Sequence, residues 1–287
     1  MKLYLIVPFF APSVTIEKQR IREFREWRTE VLQPAIEENY KDAKIEYLVA
    51  ATDQVDRIGE GIYIKYDGVT PKGLMVRGKL LSVFKEPIDT EGYLILIDGS
   101  GKIVYDAVRE VLEALTKGKH VVLGCRPKGY GISEERKAIE MFENFLLEEK
   151  YGVVLPDAQC GCWGVRVSNL KDIPLTANSY EIELDLVSSS IEHSLCISYV
   201  PVEIKVDQSP VTNFKYEANK TKLKFLSNKL GFDNYILKAV YNKFQDIYKT
   251  PLPPDYVDYI DTLKSPQDKN KYICKGGCGY SCEKVHN

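Results

Sequence analysis

Residues 92–101 read GYLILIDGSG, and this stretch decides the fold. The large apolar residues at 93–97 are typical of a strand buried on both faces of a parallel sheet. Gly99 and Gly101 end that strand directly after Asp98. Ligands of open α/β sheets bind in the crevice at the carboxyl ends of the strands. The sequence therefore predicts that Asp98 lies at a ligand site.

The segments around this strand alternate between strand and helix patterns. Apolar runs predict strands at 2–7, 44–51, 62–66, 120–124 and 197–205, and three-to-four spacing predicts helices between them. One long helix, 133–149, has a charged side that we expect to face solvent. The alternation predicts an α/β fold with a doubly wound, mostly parallel sheet. A change to lysine-rich and aromatic sequence predicts a core domain over 1–207 and a C-terminal helical extension with a cysteine-rich tail over 208–287.

Composition limits the classes of partner. The 39 lysines and arginines nearly balance 41 aspartates and glutamates, so no global field attracts nucleic acid. No apolar run approaches the roughly 20 residues that span a bilayer, and we expect a cytoplasmic protein. The seven cysteines are an odd number and are spread along the chain, unlike a disulfide framework.

Short motifs follow the predicted strands in a recognisable order. They are Ile6-Val7-Pro8, Thr52-Asp53, Lys72-Gly73 with Arg77-Gly78, Asp98-Gly99-Ser100, Gly124-Cys125-Arg126 with Arg136, 157–161, 164–166, 180–184 and Val200-Pro201-Val202. Over residues 2–205 this set resembles the GT-A glycosyltransferases, in particular the family-2 branch that includes dolichyl-phosphate mannose synthase. The resemblance implies a GT-A fold, a nucleotide-sugar donor, a Mg²⁺ or Mn²⁺ ion, and sugar transfer with inversion.

The resemblance also implies roles for individual residues. Pro8 lies in the nucleotide loop, Asp53 recognises the base, and Lys72 and Arg77 lie in a segment near the diphosphate. Asp98 begins the metal motif, but Ser100 stands where the family has a second aspartate, which should weaken metal binding. Two alternatives remain open at this point: residues 98–101 are a plain turn, and Lys72 is an ordinary surface lysine.

Two arginines and one aspartate are further candidates. The resemblance implies that Arg126 and Arg136 contact a phosphate of the donor or of a lipid-phosphate acceptor, a role that the planar guanidinium suits. Asp157 is a candidate catalytic carboxylate in the segment before 164–166. The alternatives are that Arg126 pairs with Asp98 or Asp157, and that Arg136 lies on a solvated helix face.

The acidic helix start at 181–185 offers a general base. If the acceptor is a hydroxyl, inverting transfer needs a carboxylate to take its proton, whereas an ionised phosphate acceptor needs none. Glu183 is our preferred base, with Glu181 or Asp185 as alternatives. The alternative is that all three only stabilise the helix N-terminus electrostatically.

The last residues carry soft metal ligands at four-residue intervals. Their number suits tetrahedral Zn²⁺, and the alternative is an unstructured, thiol-bearing tail. The four side chains are Cys274, Cys278, Cys282 and His286.

The basic, aromatic stretch 215–249 has two interpretations. It either lies on an anionic membrane, which would place the protein peripherally at the inner membrane face near a polyprenyl-phosphate acceptor, or packs on the sheet with its lysines outward. A glycan hydroxyl is the other acceptor considered.

Two functional alternatives also remain: a catalytically weak or inactive nucleotide-sugar-binding protein, and a sugar-phosphate nucleotidyltransferase. The proline-rich stretch 8–12 lacks the glycines and basic residues that would hold a triphosphate in the latter.

Overall fold

The computed structural model describes residues 2–9, 14–40, 44–51, 62–65, 76, 91–99, 103–127, 132–170, 173–205 and 215–263. Its strands are β1 (Lys2–Phe9), β2 (Lys44–Ala51), β3 (Ile62–Lys65), β4 (Tyr93–Ile97), β5 (Val121–Cys125), β6 (Cys162–Arg166) and β7 (Ile197–Pro201). Its helices are α1 (Val14–Trp27), α2 (Gln33–Asn39), α3 (Ala107–Thr116), α4 (Glu134–Tyr151), α5 (Val167–Leu170), α6 (Ile182–Glu192), α7 (Lys215–Leu230), α8 (Asn234–Tyr248) and α9 (Pro254–Thr262), with a π-helical turn, Arg28–Leu32, between α1 and α2.

The described strands form one sheet in the order β3-β2-β1-β4-β6-β5-β7. All neighbours are parallel except β6, which runs antiparallel to both β4 and β5. The predicted α/β class with a mostly parallel sheet is confirmed. Because β6 is reversed, its amino-terminal end lies at the same edge of the sheet as the carboxyl ends of β1, β4 and β5.

Strand β4 lies between two hydrophobic cores. Leu94 and Leu96 face a core shared with α4, α6 and the C-terminal helices, whereas Ile95 and Ile97 face a core shared with α1, α2 and α3. All four side chains are fully buried. Burial on both faces explains why this strand reads as an uninterrupted apolar run, and helices on both faces make the sheet doubly wound.

The lysine-rich C-terminal helices pack against the rest of the protein. Leu226, Leu237 and Phe244 are fully buried and belong to the same core as α4. The rings of Phe142 and Phe244 meet edge to face at a centroid distance of 5.4 Å. The packing interpretation of this stretch is thus the one that the structure supports, because Leu226, Leu230, Val240 and Phe244 are buried in the core, although Tyr235 and Ile236 are exposed.

Two further expectations concern this part of the chain. Of the helices that the structure describes, none combines the length and the apolar character needed to cross a membrane. The predicted boundary at residue 207 falls in 206–214, outside the described residues, and stays a prediction.

Candidate active site

The carboxyl end of β4 meets two other segments at one edge of the sheet. The backbone N–H of Asp98 donates to the carbonyl oxygen of Gly161 at 2.8 Å, and the N–H of Gly99 donates to the carbonyl oxygen of Pro8 at 3.0 Å. Gly161 immediately precedes β6, and Pro8 lies near the end of β1. The structure thus places Asp98 at a carboxyl strand end beside Pro8, as the sequence predicts.

The Asp98 carboxylate rests against a glycine. A Cβ atom at position 161 would collide with Oδ2 and Cγ of Asp98, so only glycine leaves room for the carboxylate where it lies. The Asp98 side chain is partly exposed. Its charge is also felt at Tyr105: burial raises the pKa of that phenol above its usual range, and the charges of Glu23 and Asp98 add to the shift while Arg20 opposes it. The position of the carboxylate therefore depends directly on the segment before β6.

Arg126, directly after β5, forms a two-pronged ion pair with Asp157. The Nε of Arg126 donates to Oδ2 at 2.6 Å and Nη2 donates to Oδ1 at 2.8 Å, while the backbone N–H of Arg126 also donates to Oδ2. Both side chains are less than a tenth exposed. Asp157 also accepts the backbone N–H of Gln159 at 3.0 Å. Of the pairings considered from the sequence, the one with Asp157 is formed, and it orders the loop before β6.

Glu140 of α4 connects the two arginines that the sequence singles out. Its Oε2 accepts a hydrogen bond from Nη2 of Arg126 at 3.1 Å, and its Oε1 accepts one from Nε of Arg136 at 2.8 Å. Arg136 is 36% exposed, so it is the arginine of this cluster that solvent reaches. With Asp157 included, two guanidinium groups face two carboxylates, and the buried charges are balanced.

Two acidic residues of the long helix α4 lie away from its charged, exposed side. Glu140 is 7% exposed and Glu143 is fully buried. Burial raises the pKa of Glu143, and the charge of Lys222 opposes that shift. The signal was present in the spacing, because Glu143 follows Ile139 by four residues and precedes Leu146 by three, which places it on the apolar stripe of α4.

Three further polar residues of this region were missed by the sequence reasoning. They are Gln159, Lys222 and Tyr256. Each becomes interpretable only through a partner far away along the chain, which a single sequence does not identify.

The acidic residues at the start of α6 divide into two groups. Asp185 accepts the backbone N–H of Ala177 through Oδ2 at 2.7 Å, and Glu181 accepts the N–H of Ser179 through Oε1 at 3.2 Å. These two carboxylates thus order the turn that leads into the helix. Glu183 is 5% exposed, and its role as a base stays a prediction.

Several sequence candidates lie outside the described residues. They are Asp53, Lys72, Arg77 and Ser100, which are predicted to bind substrate or metal, and Cys274, Cys278, Cys282 and His286, which are predicted to bind zinc. Across the part of the chain that the structure does describe, no group of three or more histidine, cysteine, aspartate or glutamate side chains is arranged to hold a metal.

The donor set at Asp98 still fits one kind of divalent ion. Mg²⁺ and Mn²⁺ are commonly held by one or two carboxylates, while substrate phosphates and water supply the remaining oxygens. A single, partly exposed carboxylate at the strand edge fits an ion that arrives with a bound diphosphate. It does not fit a cage made entirely of protein ligands.

The sequence comparisons give no assignment: no protein-family model matches the chain, and no curated protein matches it. Solved structures do match. Glucosyl-3-phosphoglycerate synthase from Mycobacterium tuberculosis in complex with phosphoglyceric acid is 15% identical, with a TM-score of 0.54 over 80% of each chain. The same enzyme with Mn²⁺ and UDP-glucose is 13% identical, with a TM-score of 0.55 over 80% of this chain and 79% of that chain.

A third complex of that enzyme, with Mn²⁺, UDP and glucosyl-3-phosphoglycerate, has a TM-score of 0.56 at 13% identity and covers 80% of each chain. At this level of identity the likeness concerns the fold alone. The chain therefore has an α/β fold of the GT-A type.

Proposed function

We propose that this protein transfers a sugar from a nucleotide-sugar donor to an acceptor with the help of a divalent metal ion. The observation that carries the proposal is the Asp98 carboxylate, which ends β4, rests on Gly161 and lies beside Pro8 at one sheet edge. In open α/β folds this edge is where ligands bind. The structural neighbours with this fold include an enzyme solved with Mn²⁺ and UDP-glucose.

The metal ion would be held by Asp98 together with Ser100. When bound, such an ion neutralises charge on the departing nucleoside diphosphate, a contribution on the order of several kcal/mol. Asp98 would anchor the ion and the diphosphate at the strand edge. Because residue 161 is a glycine, the carboxylate has room to lie in this position.

The donor would lie across the carboxyl ends of β1, β2 and β4. In this proposal Pro8 lines the nucleotide loop, Asp53 recognises the base, and Lys72 and Arg77 lie near the diphosphate. Arg136 is the better phosphate ligand of the two arginines, because it is the more exposed. Arg126 orders Asp157 and the loop before β6.

The acceptor decides whether Glu183 acts as a base. A hydroxyl acceptor must lose a proton during attack, and Glu183 would accept it, whereas an acceptor phosphate is already ionised. Phosphoglyceric acid, present in a neighbour's structure, makes a small phosphorylated hydroxy acid the first acceptor class to try. A glycan hydroxyl and a polyprenyl phosphate follow. Inversion at the anomeric carbon is part of the proposal, on the family-2 resemblance.

The test is a transfer assay with a matched pair of variants. Nucleotide sugars, UDP-glucose first, are incubated with Mn²⁺ and each acceptor class, and products are identified by mass spectrometry. Asp98→Asn should lower kcat/KM by about a hundredfold or more, which corresponds to roughly 3 kcal/mol. Asp106→Asn is the control, because Asp106 is exposed and its hydrogen bond is to Trp27 of α1.

Three outcomes would overturn the proposal. Unchanged turnover in Asp98→Asn would remove that residue from the mechanism. Selective binding of a nucleotide sugar without transfer or hydrolysis would favour the binding-protein alternative. Release of pyrophosphate from a nucleoside triphosphate and a sugar phosphate would identify a nucleotidyltransferase.

A further inference from the structure

One lysine of the C-terminal helices reaches toward the candidate active site. Lys222 of α7 is only 10% exposed in its side chain. Its Nζ donates to Oε1 of Gln159 at 2.7 Å and lies 3.6 Å from Oε2 of Glu143. Lys222 therefore has two partners on two different elements, the loop before β6 and helix α4.

Gln159 is held at both ends of its side chain. While Oε1 accepts from Lys222, Nε2 donates to the backbone carbonyl of Glu140 at 3.4 Å. The backbone N–H of Gln159 donates to Asp157, the residue that Arg126 binds. The amide side chain of Gln159 thus ties the loop to α4 and to α7.

This loop leads directly to the carboxylate at the sheet edge. Gly161 follows Gln159 by two residues, accepts the N–H of Asp98 and lies directly under its side chain. A displacement of residues 157–161 would therefore move the surface on which Asp98 rests.

We propose that Lys222 is a positioning residue for the Asp98 edge. It acts through Gln159, and it makes the geometry of the diphosphate and metal site depend on the C-terminal helices. The inference deepens the proposed function, on which the meaning of this edge rests.

The same lysine also has a plain structural role, as counter-charge to Glu143. Oε1 of Glu143 accepts a hydrogen bond from the Tyr256 hydroxyl at 3.1 Å, so this carboxylate lies in a closed, buried site. Removing Lys222 alone would leave Glu143 without its cation and destabilise the fold. The double variant Lys222→Met with Glu143→Gln removes both charges, so no buried carboxylate is left without its cation.

Lys229 provides a matched control on the same helix. It lies two turns after Lys222 and is 16% exposed in its side chain. Its Nζ donates to Ser189 Oγ at 3.0 Å, lies 3.1 Å from Oε2 of Glu192 and lies 3.6 Å from Oδ1 of Asp185, all on α6. Lys229→Met therefore removes a comparable ion pair from α7, with partners that belong to α6 instead of to the loop before β6.

The first measurement is hydrogen exchange of the wild type and the variants without ligand. In Lys222→Met and in the double variant, the amides of 157–161 and of Asp98 should exchange about tenfold faster than in the wild type, the scale expected when one charge-assisted hydrogen bond is lost. The amides of β4 serve as internal reference for global stability. Lys229→Met should leave 157–161 unchanged relative to that reference.

The second measurement is donor turnover well below the unfolding temperature. Lys222→Met and the double variant should lower kcat/KM by about tenfold, while Lys229→Met stays within about twofold. The positioning role would be overturned if the amides of 157–161 exchanged at the wild-type rate in the double variant. It would also be overturned if Lys222→Met and Lys229→Met had equal effects. If the wild type transfers no sugar, the proposed function fails, and the exchange measurement still decides the positioning role by itself.

Discussion

Replacing Gly161 by alanine puts a methyl group where the Asp98 carboxylate lies. The added Cβ would overlap Oδ2 and Cγ of Asp98. The carboxylate can rotate away from the methyl group, whereas the third contact, 3.1 Å to Cβ of Asp98, requires a shift of a few tenths of an ångström. The variant separates the position of Asp98 from the stability of the fold.

The expected change in the free energy of unfolding is small. A buried methyl group contributes about 0.8 kcal/mol, and loss of glycine freedom in the unfolded chain adds about 0.4–1 kcal/mol. Turning the Asp98 side chain away from its preferred position costs about 0.5–1.5 kcal/mol. These contributions offset one another, so the net change should stay within about 1 kcal/mol. A displacement of about 1 Å at a reacting group costs on the order of a hundredfold in rate.

Gly164, three residues later in β6, is the matched control. Its added Cβ would lie 2.5 Å from Cγ1 of Val111 and 2.8 Å from Cδ1 of Leu115, both on α3 and fully buried. Overpacking of this kind costs about 1–3 kcal/mol, which in a chain of this size lowers Tm by roughly 2–4 °C per kcal/mol. Gly164→Ala should therefore lose stability and keep its transfer rate per folded molecule.

The assay measures Tm and donor turnover for both variants side by side. We expect Gly161→Ala to retain Tm and lose turnover, and Gly164→Ala to show the opposite. A Gly161→Ala protein with normal turnover would show that the Asp98 carboxylate need not rest where the structure places it. The coupling between the loop before β6 and the site would then be refuted.

Two further predictions concern buried carboxylates. Burial raises the pKa of Glu143 above its usual value of 4.5, so the folded state binds more protons than the unfolded state just above that pH, and stability falls as pH rises through this window. In urea unfolding from about pH 4 to about pH 7, the free energy of unfolding of Glu143→Gln should increase relative to that of the wild type as pH rises. A difference between the two proteins that does not change with pH would contradict the raised pKa of Glu143. Glu183→Gln should lower transfer to a hydroxyl acceptor by about 10²–10⁴-fold per folded molecule, whereas Asp185→Asn should lose about 1–3 kcal/mol of unfolding free energy. Both variants are measured by denaturant unfolding and by turnover. If Glu183→Gln kept its turnover per folded molecule while Asp185→Asn lost it, the roles of the two residues would be exchanged.

The sequence predicts the regular part of this fold well, because that part depends on local patterns. Strand β2 begins and ends where its apolar run does, and Asp98 follows β4 as the glycines after it indicate. The pairing of the interior charges was not predictable in this way. The spacing of Glu143 places it on the apolar stripe of α4, but its partner Lys222 resembles an ordinary surface residue until α7 is placed on α4.

The candidate site likewise combines a feature that the local sequence predicts with one that depends on a distant partner. The local sequence predicts that Arg126 follows a strand. It also allows the alternative that Arg126 pairs with an acidic side chain. Which acid it pairs with depends on how the loop before β6 returns to β5. Periodicity carries no information on that point.

The reversed strand β6 has a consequence for the order in which the chain can assemble. Strand β6 pairs with β4 on one side and β5 on the other, although both precede it in the chain. A nascent chain that ends before residue 162 would present both strands with open edges and fully apolar surfaces, which invite pairing with other chains. We expect the ribosome-bound intermediate of this length to be the species that most needs a chaperone, and the arrival of residues 162–166 to join β4 to β5 and create the Asp98 edge in one event.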